Sequence, residues 1–258
     1  MIVDINEKYY GSRLALSNIH LVFNRGESTL IIGTSGAGKS TLIKSIIGKT
    51  KYQGFIRDYR PEDIGYIPQF PALNVMENSQ DALYWSALFS SKYRSRKICR
   101  QMAGYYIDMM GLSGEKDHQI KSLSGGQKQR VSIAKELIRM KGILIADEID
   151  TGLDAGVSRG LIGTLIKITR AENKTTVIIS HNLSNIEMYD RVVVLVRDSG
   201  KTGRIAYSGR PQNMKRFFDT DDYVDILVKL NSVEENGLGQ ADYYIGKYEA
   251  FRKAGQIL

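Results

Sequence analysis

Three short stretches of this chain set phosphate-binding and acid–base groups at spacings that chemistry can use. Leu123-Ser124-Gly125-Gly126-Gln127 places a serine and two glycines just before a basic amphipathic run. A backbone that turns into a helix there converges several N–H groups and the positive end of the helix dipole on one point, which suits an anion. Gly33-Thr34-Ser35-Gly36-Ala37-Gly38-Lys39-Ser40 is a full match to the glycine-rich phosphate loop and continues into Thr41. Gly33, Gly36 and Gly38 let the backbone wrap β- and γ-phosphates closely. Lys39 supplies a point charge to them, and the Ser40 hydroxyl is the expected Mg²⁺ ligand. The third stretch, Ile143-Leu144-Ile145-Ala146-Asp147-Glu148, is an apolar strand ending in two acids. Asp147 suits a Mg²⁺ held through water, and Glu148 suits a general base that orients and polarises an attacking water.

Such groups work only if the chain positions them. Residues 28–32 read as a short buried strand, and 39–47 have helical periodicity that stops at Gly48, so the loop lies between strand and helix as its chemistry requires. Another strand covers 64–67, followed by Pro68 and Gln69. From 78 to 110 the apolar positions recur at helical spacing, with Trp85, Leu88 and Phe89 on one face. A helix is expected from the signature at 124 to about 140, another from 157 to 170, and strands at 143–146, 176–180 and 191–196. Residues 203–209 read as a last strand and turn, and Pro211 as the opening of a last helix. Alternation of this kind predicts an α/β fold, a phosphate-loop core with a mostly parallel sheet. An antiparallel β part stands at its N-terminus and a helical subdomain is inserted. The expected division is a core of 1–70 and 141–218, a helical subdomain of 71–140, and a tail of 219–258.

The composition, 258 residues with 42% hydrophobic, supports one substantial core with an attached lobe. No apolar run has the length of a membrane span, the N-terminus does not read as a secretory signal, and the single Cys99 fits a reducing compartment. The net charge of +8 is dispersed except for Lys92, Arg94, Arg96, Lys97 and Arg100, a run open to three readings: a solvated helix face, a contact with anionic lipid or a partner subunit, or a nucleic-acid contact.

In this order and spacing the three motifs resemble the ATP-binding cassette family over most of the chain. The resemblance implies ATP and Mg²⁺ as ligands and carries further residues with it. Gln69 matches the glutamine loop that contacts Mg²⁺ or the lytic water. His181, after an apolar strand, matches the switch histidine that reaches the γ-phosphate. Asp154, in Thr151-Gly152-Leu153-Asp154, matches the acid of a loop lying across a dimer interface. Tyr9 and Tyr10 both stand at the spacing of the aromatic that stacks on adenine, with Tyr10 preferred. Where the family usually continues Pro-Thr after the glutamate, this chain has Ile149-Asp150. That acid is expected to add negative charge near the metal and the γ-phosphate.

The family pairs two cassettes head to tail, so Ser124, Gly125, Gly126 and Gln127 are expected to close over ATP held by a second cassette, identical or paralogous. A separately encoded membrane permease is the expected partner, at the cytoplasmic face, with no nucleic acid. The segments 75–78, 84–88, 203–209 and 217–218 look closest to G-type or type-2 exporter cassettes, so export is expected over import. A soluble or signalling ATPase acting on nucleic acid, the ribosome or a non-transporting membrane complex is the alternative.

Overall fold

The computed structural model describes residues 1–90 and 92–255. Contacts divide the chain into two units, Met1–Pro61 with Asp150–Leu258, and Glu62–Ile149. The second takes in more chain than the expected 71–140, because a strand at each of its ends pairs with the other.

The first unit carries β1 (Ile2–Tyr10), β2 (Arg13–Val22), β3 (Ser28–Gly33), β4 (Gln53–Arg57), β7 (Thr175–Ile179), β8 (Arg191–Arg197) and β9 (Gly203–Gly209) in the order β4-β1-β2-β9-β8-β3-β7. β1 pairs antiparallel with β2 and β4, whereas β3 lies parallel to both β7 and β8. The β3 run Ser-Thr-Leu-Ile-Ile-Gly is buried along its whole length, as a central parallel strand covered on both faces must be. Packed around the sheet are α1 (Lys39–Ile46) and α5 (Ala155–Ala171), whose buried faces include Leu42, Ile43 and Ile46, and Leu161, Ile162 and Leu165. Asp190, just before β8, locks the lower end of this sheet: its Oδ2 accepts from the Ser28 N–H (2.9 Å) and Oγ (2.6 Å), and its Oδ1 from Arg170 of α5 (2.8 Å).

Pro211 does open α6 (Pro211–Phe218), but this is not the last helix: α7 (Tyr223–Leu230) and α8 (Ala241–Lys253) follow. An aromatic cluster ties α8 to α6 and β9. Phe218 packs on Tyr244 and Tyr207, and Tyr244 Oη donates to the Phe218 carbonyl (3.0 Å). Arg204 of β9 binds Glu249 of α8 at 2.6 Å.

The second unit pairs β5 (Ile64–Ile67) parallel with β6 (Ile143–Asp147), and adds α2 (Ser79–Phe89), α3 (Arg96–Met109) and α4 (Gly125–Leu137). The single helical stretch expected over 78–110 is two helices. Ser95 caps α3 by accepting from the Ile98 N–H, as Asn78 caps α2 by accepting from Asp81, so a second start signal lies inside the periodic run. Trp85 and Phe89 share a face as expected, but that face is open: they are 44% and 80% exposed and stack at 6.0 Å. The unit's core instead draws on Leu83, Ala87, Cys99, Ala103, Ile107, Val131 and Ala134. Helix α4 stops at Leu137, short of the expected end, and Met140 beyond it has a left-handed backbone (φ 53°).

Candidate functional site

Two strand ends build the phosphate side of the site. β3 and β7 run parallel, Ile31 opposite Ile179, so the loop leaving β3 and the turn Ser180-His181 leaving β7 emerge at one edge of the sheet. In open α/β sheets ligands bind outside these carboxyl ends. The loop is Gly33–Ser40, and its glycines are steric necessities: a Cβ at Gly33 would lie 1.8 Å from the Leu195 carbonyl oxygen. Gly38, the N-cap of α1, has φ 95°, and a Cβ there would meet Leu16 at 2.6 Å. The Lys39 ammonium is folded into the loop, donating to the carbonyls of Gly33 (2.9 Å) and Thr34 (3.2 Å) while the residue is 8% exposed. The Thr34 hydroxyl is buried with no partner. A buried cation, an orphaned hydroxyl and a helix N-terminus in one loop fit a bound polyphosphate. Ser35, Gly36 and Ser40 are exposed, Ala37 is buried and Thr41 half-buried.

Tyr10 ends β1 at a hairpin turned by Gly11, 47% exposed, with the Lys8 ammonium 4.0 Å from its ring centroid. Tyr9 is similarly exposed, at 40%. His181 is exposed beyond β7, and exposed Asp154 is the N-cap of α5, where a carboxylate favours the helix dipole.

Asp150, expected to add charge near the metal and the γ-phosphate, is buried against Ser180. It is 6% exposed, and the Ser180 hydroxyl lies 2.9 and 2.8 Å from its two oxygens. Burial, and then the Asp150 charge, push the Tyr189 phenol well above its usual pKa. Sequence reading also passed over Arg197, at the end of β8. Its guanidinium would lie 3.4 Å from a Cβ on Gly36, and its Nε is buried without a partner. Arg197 and Thr34 line a cavity of about 360 Å³ whose far wall is Val233, Glu234 and Glu235, so the segment after α7 borders the phosphate loop. No local signal could have revealed a pairing between residues so far apart in sequence.

The acidic pair belongs to the second unit. β5 and β6 end side by side, Ile67 opposite Ala146, which brings Gln69 to the acids that leave β6. Gln69 Nε2 donates to Glu148 Oε2 at 2.8 Å, and Glu148 sits in a left-handed turn (φ 48°) that swings it off the strand. Tyr66 Oη donates to Asp147 Oδ2 (3.3 Å), and burial, then the Asp147 charge and this bond, hold the phenol pKa up at about 12.

The signature is a capping box. Ser124 Oγ accepts from the Gln127 N–H (3.3 Å) and Gln127 Oε1 from the Ser124 N–H (2.8 Å). Ser124's amide, one of the donors expected to await an outside anion, is therefore taken up within the cap, and Gln127 is a capping residue first.

A protein-family model described as "ABC transporter" matches residues 16–151. The chain belongs to the ABC transporter family. This cassette is 30% identical to the methionine import ATP-binding protein MetN of Campylobacter jejuni, over 84% of the chain and 75% of that relative. It is 32% identical to the zinc import ATP-binding protein ZnuC of Chromohalobacter salexigens, over 82% of the chain and 87% of the relative. Its fold is similar to that of cbiO1 of Clostridium perfringens, part of an ABC transporter complex, with TM-score 0.73 and 25% identity over 94% and 98% of the two chains. It is also similar to a dimeric ATP-binding cassette in a post-hydrolysis state with ADP and Pi, with TM-score 0.67 and 24% identity over 81% and 97%. The cassette is thus an ATP-binding subunit of the transporter class and an ATPase, with the α/β phosphate-loop fold expected of it.

The exporter-like reading is not supported, since the relatives named here are import proteins. The segments behind it have structural duties instead. Asn78 caps α2, while Tyr207, Phe217 and Phe218 form the aromatic cluster under the C-terminal helices, and neither duty carries a direction of transport. Among the described residues no helix is long and apolar enough to cross a membrane.

Proposed function

We propose that this chain is the ATP-hydrolysing subunit of an importer. It would pair head to tail with a second cassette around two Mg-ATP and drive a separately encoded permease from the cytoplasmic face of the membrane. The observation that carries the reading is the 2.8 Å bond from Gln69 to Glu148, which joins the candidate base to the segment between β5 and α2. Movement of that segment and the state of the base are thereby tied. The import direction rests on the relatives named for methionine and zinc import.

In this reading the loop amides and Lys39 bind the phosphates and Tyr10 stacks on the base. Glu148 orients water and takes its proton, and His181 reaches the γ-phosphate. Asp154 and the signature residues Ser124, Gly125 and Gly126 act across the dimer, the glycine amides adding donors beyond the cap. Asp147, Ser40 and the amide oxygen of Gln69 are all hard oxygen donors. That set fits Mg²⁺, which is commonly held by one or two carboxylates and the substrate's own phosphates. When bound, the ion would neutralise charge on the phosphates.

The test is to purify tagged Glu148→Gln protein from its native cells in mild detergent with Mg-ATP. A stoichiometric polytopic membrane protein is expected with it. Recovery of ribosomes, nucleic acid or soluble partners alone would overturn the transporter reading and leave the ATPase chemistry standing.

A further inference from the structure

Asp150, which stands where the family usually has threonine, is held by contacts on both its side chain and its backbone. Its carboxylate accepts the Ser180 hydroxyl proton, and Ser180 Oγ in turn accepts from the Asn182 N–H at 2.9 Å. A hydroxyl that donates to a carboxylate is a stronger acceptor for its other partner, so the two bonds reinforce each other. They bracket His181, the residue between Ser180 and Asn182. On its own side, the Asp150 carbonyl accepts from the Leu153 N–H (3.3 Å), starting the turn through Gly152 (φ 74°) that delivers Asp154 to the start of α5. One buried residue therefore anchors the turn leading to Asp154 and, through a single serine, the loop that presents His181.

We infer that Asp150 is a positioning residue for the ATPase reaction, holding His181 in register through Ser180. The inference rests on the reading of His181 as the group that reaches the γ-phosphate, and it adds what sets that group's direction. Asp150 touches neither nucleotide nor water in this account. An apolar residue at 150 would leave the Ser180 hydroxyl without this acceptor, and His181 would sample several orientations.

The test uses the full-length protein with Asp150→Ala, Asp150→Asn, Ser180→Ala and the Asp150→Ala/Ser180→Ala pair. Turnover and KM for ATP are measured beside the imidazole resonances of the chain's three histidines, His20, His118 and His181, with His181→Ala identifying the relevant signal. Asp150→Ala is expected to lower kcat by about tenfold or more with KM within about twofold, as misplacing a catalytic group does. The His181 resonance should shift or broaden while His20 and His118 stay put. Ser180→Ala should reproduce both effects, and the pair should lose no more than either single change, since the two act in one chain of bonds. Ser180→Ala keeps the test decisive if Asp150→Ala does not fold, while Asp150→Asn, whose amide oxygen can still accept from Ser180, should show the smaller effect. An unchanged His181 resonance with kcat intact in folded Ser180→Ala protein would overturn the proposal. If His181→Ala itself turns over normally, the reading of His181 fails, while the resonance still decides whether Asp150 orients the ring.

Discussion

In the proposed reading Lys39 serves binding and Glu148 bond-breaking, and their surroundings say how each would fail. Lys39 is buried in the loop it charges, so Lys39→Ala removes both the cation and the tie between Gly33 and Thr34. ATP binding and turnover should be lost together, read by nucleotide fluorescence and phosphate release. Glu148→Gln keeps the shape and an oxygen able to accept from Gln69, so ATP binding should stay within a fewfold of wild type. Turnover should fall by about 100-fold or more, the scale of a lost general base. Equal loss of binding in both variants would refute the division of labour. The placement of these residues was legible because its signals are local: glycines bounding a loop between strand and helix, and acids that end an apolar strand. Asp150, Ser180 and Arg197 were not, because their partners are set by strand order. The sequence marked Asp150 as odd but carried no sign that it is buried against Ser180.

At the scale of elements, strands and the phosphate-loop helix followed from apolar runs and glycine stops. The helical unit was less readable. Its periodicity continues across the α2–α3 break, and only the caps Asn78 and Ser95 mark two helices. The junction of β3, α5 and β8 through Asp190 yields a pH prediction. Burial opposes the charge on this carboxylate, but the Ser28 hydroxyl and amide and the Arg170 guanidinium outweigh it, leaving the pKa below its usual value. A depressed pKa means stability that is full above the unfolded-state value, about 3.9, and drains away as pH falls through the folded one. Asp190→Asn should therefore cost about 1–2 kcal/mol at neutral pH, a modest figure because the Arg170 contact is partly exposed. The cost should shrink towards zero in acid. Urea melts of wild type and variant at pH 7 and below pH 4 read this directly, and a gap that persists in acid would show that packing, rather than charge, is what the substitution removes.

The whole molecule raises the question of what completes the signature. Within the chain the cap satisfies Ser124, yet Gly125 and Gly126 remain at the open end of α4, as ATP held by a second cassette would require. Gly125 separates this idea from mere helix stability. A Cβ there meets nothing within 4 Å, and its backbone is not in the left-handed region, so a side chain fits without strain. An acid at the first helical position even favours the helix dipole, by about 0.3–1 kcal/mol. Gly125→Asp should thus leave the isolated chain as stable as before or slightly more so. In a Glu148→Gln background with Mg-ATP, light scattering should show the parent doubling from the 29.0 kDa of one chain, and the Gly125→Asp version remaining single. In the proposed dimer the new carboxylate would repel the partner's phosphate, while a Cβ at Gly125 meets nothing within 4 Å in the single chain. A Gly125→Asp protein that still doubles with ATP would move the signature out of the interface, and the head-to-tail arrangement would go with it.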